Sequence, residues 1–253
     1  MPSKQQKHWY DEFFHEDYLK VFGDEFTPER ATAEVAFLEK VLGLKRGQQV
    51  LDLACGQGRH AVPLAQHGMQ VTGLDLMPDY LAMAKKSAKA AKVELELVQS
   101  DMRQIPFKSR FDAVINMYTA FGYLETEEDD LQVLREVAKA LKPGGKVLLD
   151  LWNREWAIRN MLTHEWREAA DGTLYLEHRQ LNLATSRVKV SVIMVPPNGP
   201  RHDSIGWNVR IFSLTELSSL IERAGLHVLT VYGGYESQSY TLNSDRMILV
   251  AQK

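Results

Sequence analysis

The segment Val50-Leu51-Asp52-Leu53-Ala54-Cys55-Gly56-Gln57-Gly58-Arg59-His60 carries the residues best suited to chemistry in this chain. A strand ending in Gly-x-Gly lets the backbone turn sharply and approach a ligand closely, where a Cβ would stand in the way. By itself the pattern is ambiguous. Gly56-x-Gly58-x-x-Ala61 also fits a dinucleotide fingerprint, and a tight strand-to-helix turn without a ligand would use the same residues. Two acids narrow the choice. Asp75 closes the next strand, at the sheet edge beside the glycine loop, where a carboxylate accepts from both hydroxyls of a ribose. Asp101 follows the strand after that, one step further out, where an adenine would set its exocyclic amine against an acceptor. Either acid alone reads as a solvated loop residue or a helix cap. Their joint placement after successive strands is much harder to explain that way.

The elements that must position these groups follow an alternating pattern. Strands are expected at Val50–Ala54, Val71–Asp75, Leu95–Val98, Phe111–Met117 and Lys146–Asp150. Helices are expected between them, through Leu64 and Ala65, from Asp79 to Lys92, and from Glu127 to Leu141, where Pro143-Gly144-Gly145 breaks the pattern. Strands separated by helices imply βαβ units and a parallel sheet. Upstream, Thr27-Pro28 reads as a helix start, and that helix runs through Val35, Leu38 and Leu42 to Gly43. The pattern changes near Trp152. Leu174–His178, Val188–Val192 and Trp207–Ile211 have the period of two that marks strands with one exposed face. A helix from Thr215 to Ala224 and strands near Val228 and at Met247–Ala251 close the chain. The expected organisation is an N-terminal helical cap (1–46), a cofactor-binding core (47–164), an inserted antiparallel sheet (165–212) and the last elements of the core (213–253).

The chain has 253 residues, 45% of them apolar and 25% charged, ordinary proportions for a globular protein. A formal net charge of -3 supplies no general drive toward a polyanion, which disfavours a nucleic-acid partner. Cys55 is the only cysteine, so no intrachain disulfide forms. The start Met1-Pro2-Ser3-Lys4-Gln5-Gln6 is polar, and no apolar run reaches bilayer length. A cytoplasmic address without membrane contact is the expectation.

The chain resembles the class I S-adenosylmethionine-dependent methyltransferases. The matching parts are "VLDLACGQGRH", "VTGLDL" with Asp75, "VQSDMRQIPF" with Asp101, "FDAVINMYTAFGY" and "LKPGGKVLLD", in family order from Gly47 to Asp150. The resemblance implies a Rossmann-like, doubly wound sheet of seven mainly parallel strands with a reversed final strand. It also implies methyl transfer from S-adenosyl-L-methionine. By the same analogy Ala54, Gly56 and Gly58 hold the methionine part, Asp75 the ribose, and Asp101 with the Met102 backbone the adenine. Leu76 and Met117 belong to the same cofactor site, and Asp52 stands where the family often has an acid that braces the loop. "TAFGYLE" and "DLWNRE" look like the bacterial small-molecule methyltransferases with a sheet inserted after the fifth strand.

Methyl transfer from a sulfonium is an in-line displacement, so alignment and desolvation matter more than a protein nucleophile. Aromatic faces favour a sulfonium cation, and Tyr118, Phe121 and Tyr123 follow the fourth strand closely enough to line that space. Tyr10 and Tyr18 could do so from a lid, or could pack in the core. Trp152 and Arg154, after the fifth strand, complete the acceptor-side candidates. A general base is needed only for a protonated amine or a hydroxyl acceptor; His60 and Tyr118 are the candidates. A histidine just inside that helix serves more often in packing. No metal is expected. The inserted sheet could be an acceptor wall, a homodimer contact or both. The expected reaction is N- or O-methylation of a small molecule; the rivals are an RNA or protein methyltransferase on the same fold and a nicotinamide-dependent oxidoreductase.

Overall fold

The computed structural model of the protein describes residues 22, 23, 26–204 and 206–253, with the backbone alone at 203 and 204. These residues divide into two units. One takes Pro28–Arg159 and Ile211–Lys253, and the other takes Asn160–Arg210 with the described residues before Pro28.

The larger unit begins with α1 (Pro28–Leu42), β1 (Gln49–Leu53), α2 (Ala61–Gln66), β2 (Gln70–Asp75) and α3 (Pro78–Ala90). It continues through β3 (Glu96–Gln99), β4 (Phe111–Asn116), α4 (Glu127–Ala140), β5 (Leu141–Trp152) and α5 (Arg154–Asn160). The smaller unit holds β6 (His164–Glu168), β7 (Leu174–Asn182), β8 (Arg187–Val195), β9 (His202–Ser204) and β10 (Asn208–Arg210). The chain then returns to the larger unit with α6 (Leu214–Arg223), β11 (His227–Tyr232) and β12 (Arg246–Gln252).

Seven strands form one sheet in the order β11-β12-β5-β4-β1-β2-β3. Neighbours from β5 to β3 are parallel, and β12 runs antiparallel to both β5 and β11. This is the doubly wound sheet with a reversed last strand that the resemblance implies. Its apolar residues divide between two faces. Leu51 and Leu53 join Leu131, Leu134 and Val137 of α4 and Leu217 and Leu220 of α6. Val50 instead meets Val35 and Leu38 of α1 and Leu64 of α2. Strands covered on both faces become apolar runs, so a buried polar residue within one stands out. Asp52, Asp75 and Asn116 are such residues, and all three lie toward the carboxyl ends of their strands. The strand order reverses between β1 and β4, and a crevice at that point is where open α/β sheets take ligands.

One boundary differs from expectation. Pro143-Gly144-Gly145 does not precede β5; it lies inside it. Phe111 pairs with Leu141 and Ala113 with Lys146, so residues 142–145 swell out as an irregularity in the ladder. A Cβ on Gly145 would come 2.9 Å from the Lys142 carbonyl oxygen, which is why a glycine sits in the fold of that bulge.

The smaller unit is an antiparallel sheet in the order β10-β8-β7-β6, with β9 also paired to β8. Val188, Val190 and Val192 are buried while Lys189 and Ser191 between them are exposed, the alternation of a half-covered sheet. β7 and β8 run longer than their apolar cores suggest, and β6 is an addition. Its sequence, His-Glu-Trp-Arg-Glu, is almost wholly polar and has no period of two for a sequence reading to find.

Candidate functional site

The turn after β1 is built on left-handed backbone. Ala54, Gly56 and Gly58 have φ of 61°, 52° and 82°. For Ala54, which has a Cβ, that conformation costs roughly 1–2 kcal/mol. The two glycines serve different ends. A Cβ on Gly58 would sit 3.1 Å from the Ala84 Cβ, so this glycine lets the loop rest on α3. A Cβ on Gly56 would meet nothing within 4 Å, so the space above it is open. Cys55 is a filler beneath the turn. A Cβ on Gly73 of β2 would come 2.8 Å from its Sγ, and burial pushes its thiol well above the usual range, which leaves it inert.

Asp75 is 8% exposed and ties the loop to β2. Its Oδ2 accepts from the Gly56 N–H at 2.8 Å and its Oδ1 from the Met77 N–H at 2.9 Å. Burial raises its carboxyl pKa, and these backbone donors oppose the rise. A carboxylate has about four acceptor sites, so capacity remains on both oxygens for a ligand's hydroxyls. Asp101 is more heavily engaged. It takes the Arg103 N–H at 2.8 Å, and the Arg103 guanidinium grips both its oxygens, with Nη2 at 2.6 Å from Oδ2. Burial works to raise this carboxyl, and Arg103 outweighs it, holding Asp101 below the usual carboxylate range. Arg103 also reaches Asp129 at 3.0 Å. An adenine amine at Asp101 would therefore share the carboxylate with Arg103.

Asp52 is sealed from water, and burial pushes its carboxyl up to about 6 despite the nearby His60 and Arg59 and a bond from the Ala61 N–H. Its Oδ2 has no hydrogen-bond partner. Asn116 donates to the Leu53 carbonyl at 2.9 Å, and its Oδ1 is likewise buried without a partner. Leaving such an atom unsatisfied costs about 1–3 kcal/mol. Two orphaned acceptors near the carboxyl ends of adjacent strands fit a ligand that brings an ammonium group. S-adenosylmethionine brings one, together with the ribose that suits Asp75.

A second cluster stands behind the loop. Glu34 of α1 is 1% exposed and receives Arg30 Nε at 3.0 Å, Arg59 Nη1 at 2.6 Å and His60 Nε2 at 2.8 Å. Burial would raise the Glu34 carboxyl, and His60, Arg59 and Arg30 together hold it below its ordinary value. His60, a candidate base on sequence grounds, thus has Nε2 committed to a structural tie. The guanidiniums of Arg30, Arg59 and Arg246 lie 5.2, 5.2 and 5.7 Å from the centre of the Tyr118 ring. Tyr118 and Thr119, directly after β4, are two consecutive side-chain-bearing residues with positive φ, 59° and 58°. Asp150 of β5 and Arg246 of β12, both buried, form an ion pair at 2.7 Å beneath them.

The remaining candidates are dispersed. Leu76 and Met102 are half-buried, and Met117 is buried among residues of α1 and α2. Tyr123 is half-buried and burial pushes its phenol up. Trp152 ends β5, its N–H bonded to Thr119 Oγ1 at 3.1 Å, and Arg154 lies 3.6 Å from Glu155. Phe121 is a correction. It is 1% exposed and packs against Phe212 at 5.4 Å, because the turn that carries it dives into the core formed with α4 and α6. Tyr10 and Tyr18 lie outside the described residues. Sequence reasoning missed Glu34, Arg103, Asn116, Asp150 and Arg246. The available signal was a charge interrupting an apolar run, as Asp150 does in Val147-Leu148-Leu149-Asp150-Leu151-Trp152. Among the described residues no helix is long and apolar enough to cross a membrane.

A family model described as a methyltransferase domain matches residues 50–145. A glycine/sarcosine N-methyltransferase of Aphanothece halophytica is 27% identical over 231 residues, 88% of this chain and 83% of that protein. The dTDP-3-amino-3,4,6-trideoxy-alpha-D-glucopyranose N,N-dimethyltransferase of Streptomyces venezuelae is 28% identical over 192 residues, 73% of this chain and 78% of that one. An amino pentose methyltransferase from Micromonospora echinaspora, solved with S-adenosylmethionine bound, shares the fold with a TM-score of 0.70. It is 20% identical, covering 98% of this chain and 99% of its own.

Proposed function

Because the chain is a class I S-adenosylmethionine-dependent methyltransferase, we propose that it methylates the nitrogen of a small-molecule amine. The observation that carries this is Tyr118, its ring set among three guanidiniums directly after β4, at the sheet's switch point. Guanidiniums already set around that ring disfavour a further cation, such as an ammonium, beside it. An amine entering there does so neutral, with its lone pair available, and the phenol oxygen is suited to take the proton that the nitrogen sheds on methylation. Two relatives, a glycine/sarcosine N-methyltransferase and an amino-sugar N,N-dimethyltransferase, support a small amine as acceptor. A net charge of -3 gives no general attraction to RNA.

When bound, S-adenosylmethionine supplies a methyl group on a sulfonium, open to displacement from the side opposite sulfur. Asp75 would hold the ribose, while Asp52 and Asn116 would turn their unpartnered oxygens to the ammonium. Ala54, Gly56 and Gly58 keep the backbone close, with no side chain at the two glycines between it and the ligand. Leu76, Met102 and Met117 supply apolar surface that excludes water, and Asp101, with Arg103, borders the base. His60 is left with the structural role that its bond to Glu34 describes.

Label transfer tests the acceptor class. Radioactive S-adenosylmethionine would be offered with glycine, with amino-sugar nucleotides and with phenols, and in separate arms with total RNA and total protein. Label in an amine arm, with calorimetric binding of S-adenosylhomocysteine, is the expected result. Label confined to RNA or to protein overturns the acceptor class, and tight binding of a nicotinamide dinucleotide alone overturns the cofactor.

A further inference from the structure

Asp150 and Arg246 are buried charges that the transfer chemistry above does not use, yet both carboxylate oxygens of Asp150 and the Nε and Nη2 of Arg246 are engaged. Asp150 Oδ1 accepts from Arg246 Nε at 2.8 Å; Oδ2 accepts from the Tyr118 N–H at 2.9 Å and the Tyr235 hydroxyl at 2.6 Å. The Asp150 carbonyl accepts from the Thr119 N–H at 2.8 Å and from Arg246 Nη2 at 3.1 Å. Arg246 Nη2 also reaches Thr119 Oγ1 at 3.2 Å, and that hydroxyl oxygen takes the Trp152 N–H as well. A buried ion pair that only joined β5 to β12 could be replaced by apolar side chains with little loss. Here Asp150 meets the backbone N–H groups of both residues held at positive φ, that of Tyr118 with its carboxylate and that of Thr119 with its carbonyl, while Arg246 meets the Thr119 hydroxyl. Such strained backbone persists only where its surroundings over-determine it, and here the surroundings are the Asp150 carboxylate and carbonyl with the Arg246 guanidinium.

We propose that the Arg246–Asp150 pair is a positioning device: acting through the backbone of Tyr118 and Thr119, it holds the Tyr118 ring at the acceptor. The inference rests on Tyr118 lying on the acceptor side, and its test separates the two ideas. Arg246→Lys keeps the charge but cannot reach Asp150 and Thr119 together. Thr119→Val keeps the ion pair and removes only the hydroxyl, so it serves where the first variant folds poorly. In either, hydrogen exchange of the Tyr118 and Thr119 amides should quicken by about tenfold, the factor that freeing one left-handed residue corresponds to. Exchange at Leu149 and Val250, and affinity for S-adenosylhomocysteine, should stay near wild type.

The readout specific to positioning is rescue. Glycine takes positive φ without steric cost, so Thr119→Gly in the Arg246→Lys background should return the Tyr118 ring resonances toward their wild-type shifts, although the ion pair stays altered. Those resonances are identified by their loss in Tyr118→Phe. Protection lost evenly along β5 and β12, no change at Tyr118 and Thr119, or no rescue by glycine would each overturn the proposal. Unchanged methyl transfer by Tyr118→Phe would instead sink the acceptor-side reading and leave the exchange results standing.

Discussion

Asp52 concentrates two opposing effects in one side chain. Its burial disfavours the ionised form, and its unpartnered Oδ2 is the atom a cationic ligand group would satisfy. Asp52→Asn keeps the size and removes the charge. The apo variant should resist urea at pH 7.5 better than wild type, while its affinity for S-adenosylhomocysteine falls; unfolding curves and calorimetry read the two. A variant that is less stable and binds equally well would contradict this account. Tyr118→Phe should lower kcat by about 100-fold if the phenol takes a proton, and should abolish the limb of the pH–rate profile that reports it. A profile of unchanged shape would remove Tyr118 from proton transfer. Much at this scale is illegible in a sequence. The placement of Asp75 at a strand end follows from Val71-Thr72-Gly73-Leu74-Asp75, but its bond to the Gly56 N–H depends on a backbone turn that no residue pattern specifies.

The elements themselves are easier to read, because apolar periodicity is a property of several residues at once. The alternation of strands and helices from β1 to β5 emerges from it. The polar ties between elements do not. Glu34 looks like an acid on a helix surface, with Arg30 four residues before it as an ordinary pair, and only the fold brings Arg59 and His60 onto the same carboxylate. That carboxylate fastens α1 to the glycine loop. Glu34→Ala would remove the buried carboxylate that both Arg59 and the buried His60 bond. The expected loss is about 3 kcal/mol, the scale on which removing one partner of a buried ion pair destabilises. Equilibrium denaturation measures it, and a loss within about 0.5 kcal/mol, the range of an ordinary surface substitution, would show that Glu34 is no such fastening.

At the scale of the whole molecule, the raised carboxyl of Asp52 gives stability a pH dependence of definite sign. Between about 4 and 6 the folded chain keeps a proton that the unfolded chain has released. Stability conferred by that proton is present below about 4 and is lost as pH rises to about 6, a change of about 3 kcal/mol. Comparing unfolding free energies of wild type and Asp52→Asn at pH 4.5 and 7.5 isolates the effect; a constant difference between them would refute it. The sheet order and the reversed β12 are legible as a whole because they follow from resemblance across Gly47 to Asp150. The edge strand β6 escapes because a polar sequence can pair along its backbone alone.

The central claim is that the ribose of the cofactor is held at the end of β2 by Asp75. Calorimetric titration of S-adenosylhomocysteine into wild type and Asp75→Ala tests it most directly. Loss of the carboxylate should weaken binding by about 1–3 kcal/mol, the cost of leaving the hydroxyls without their acceptor, while the variant remains folded. A folded Asp75→Ala protein that binds as tightly as wild type would contradict it.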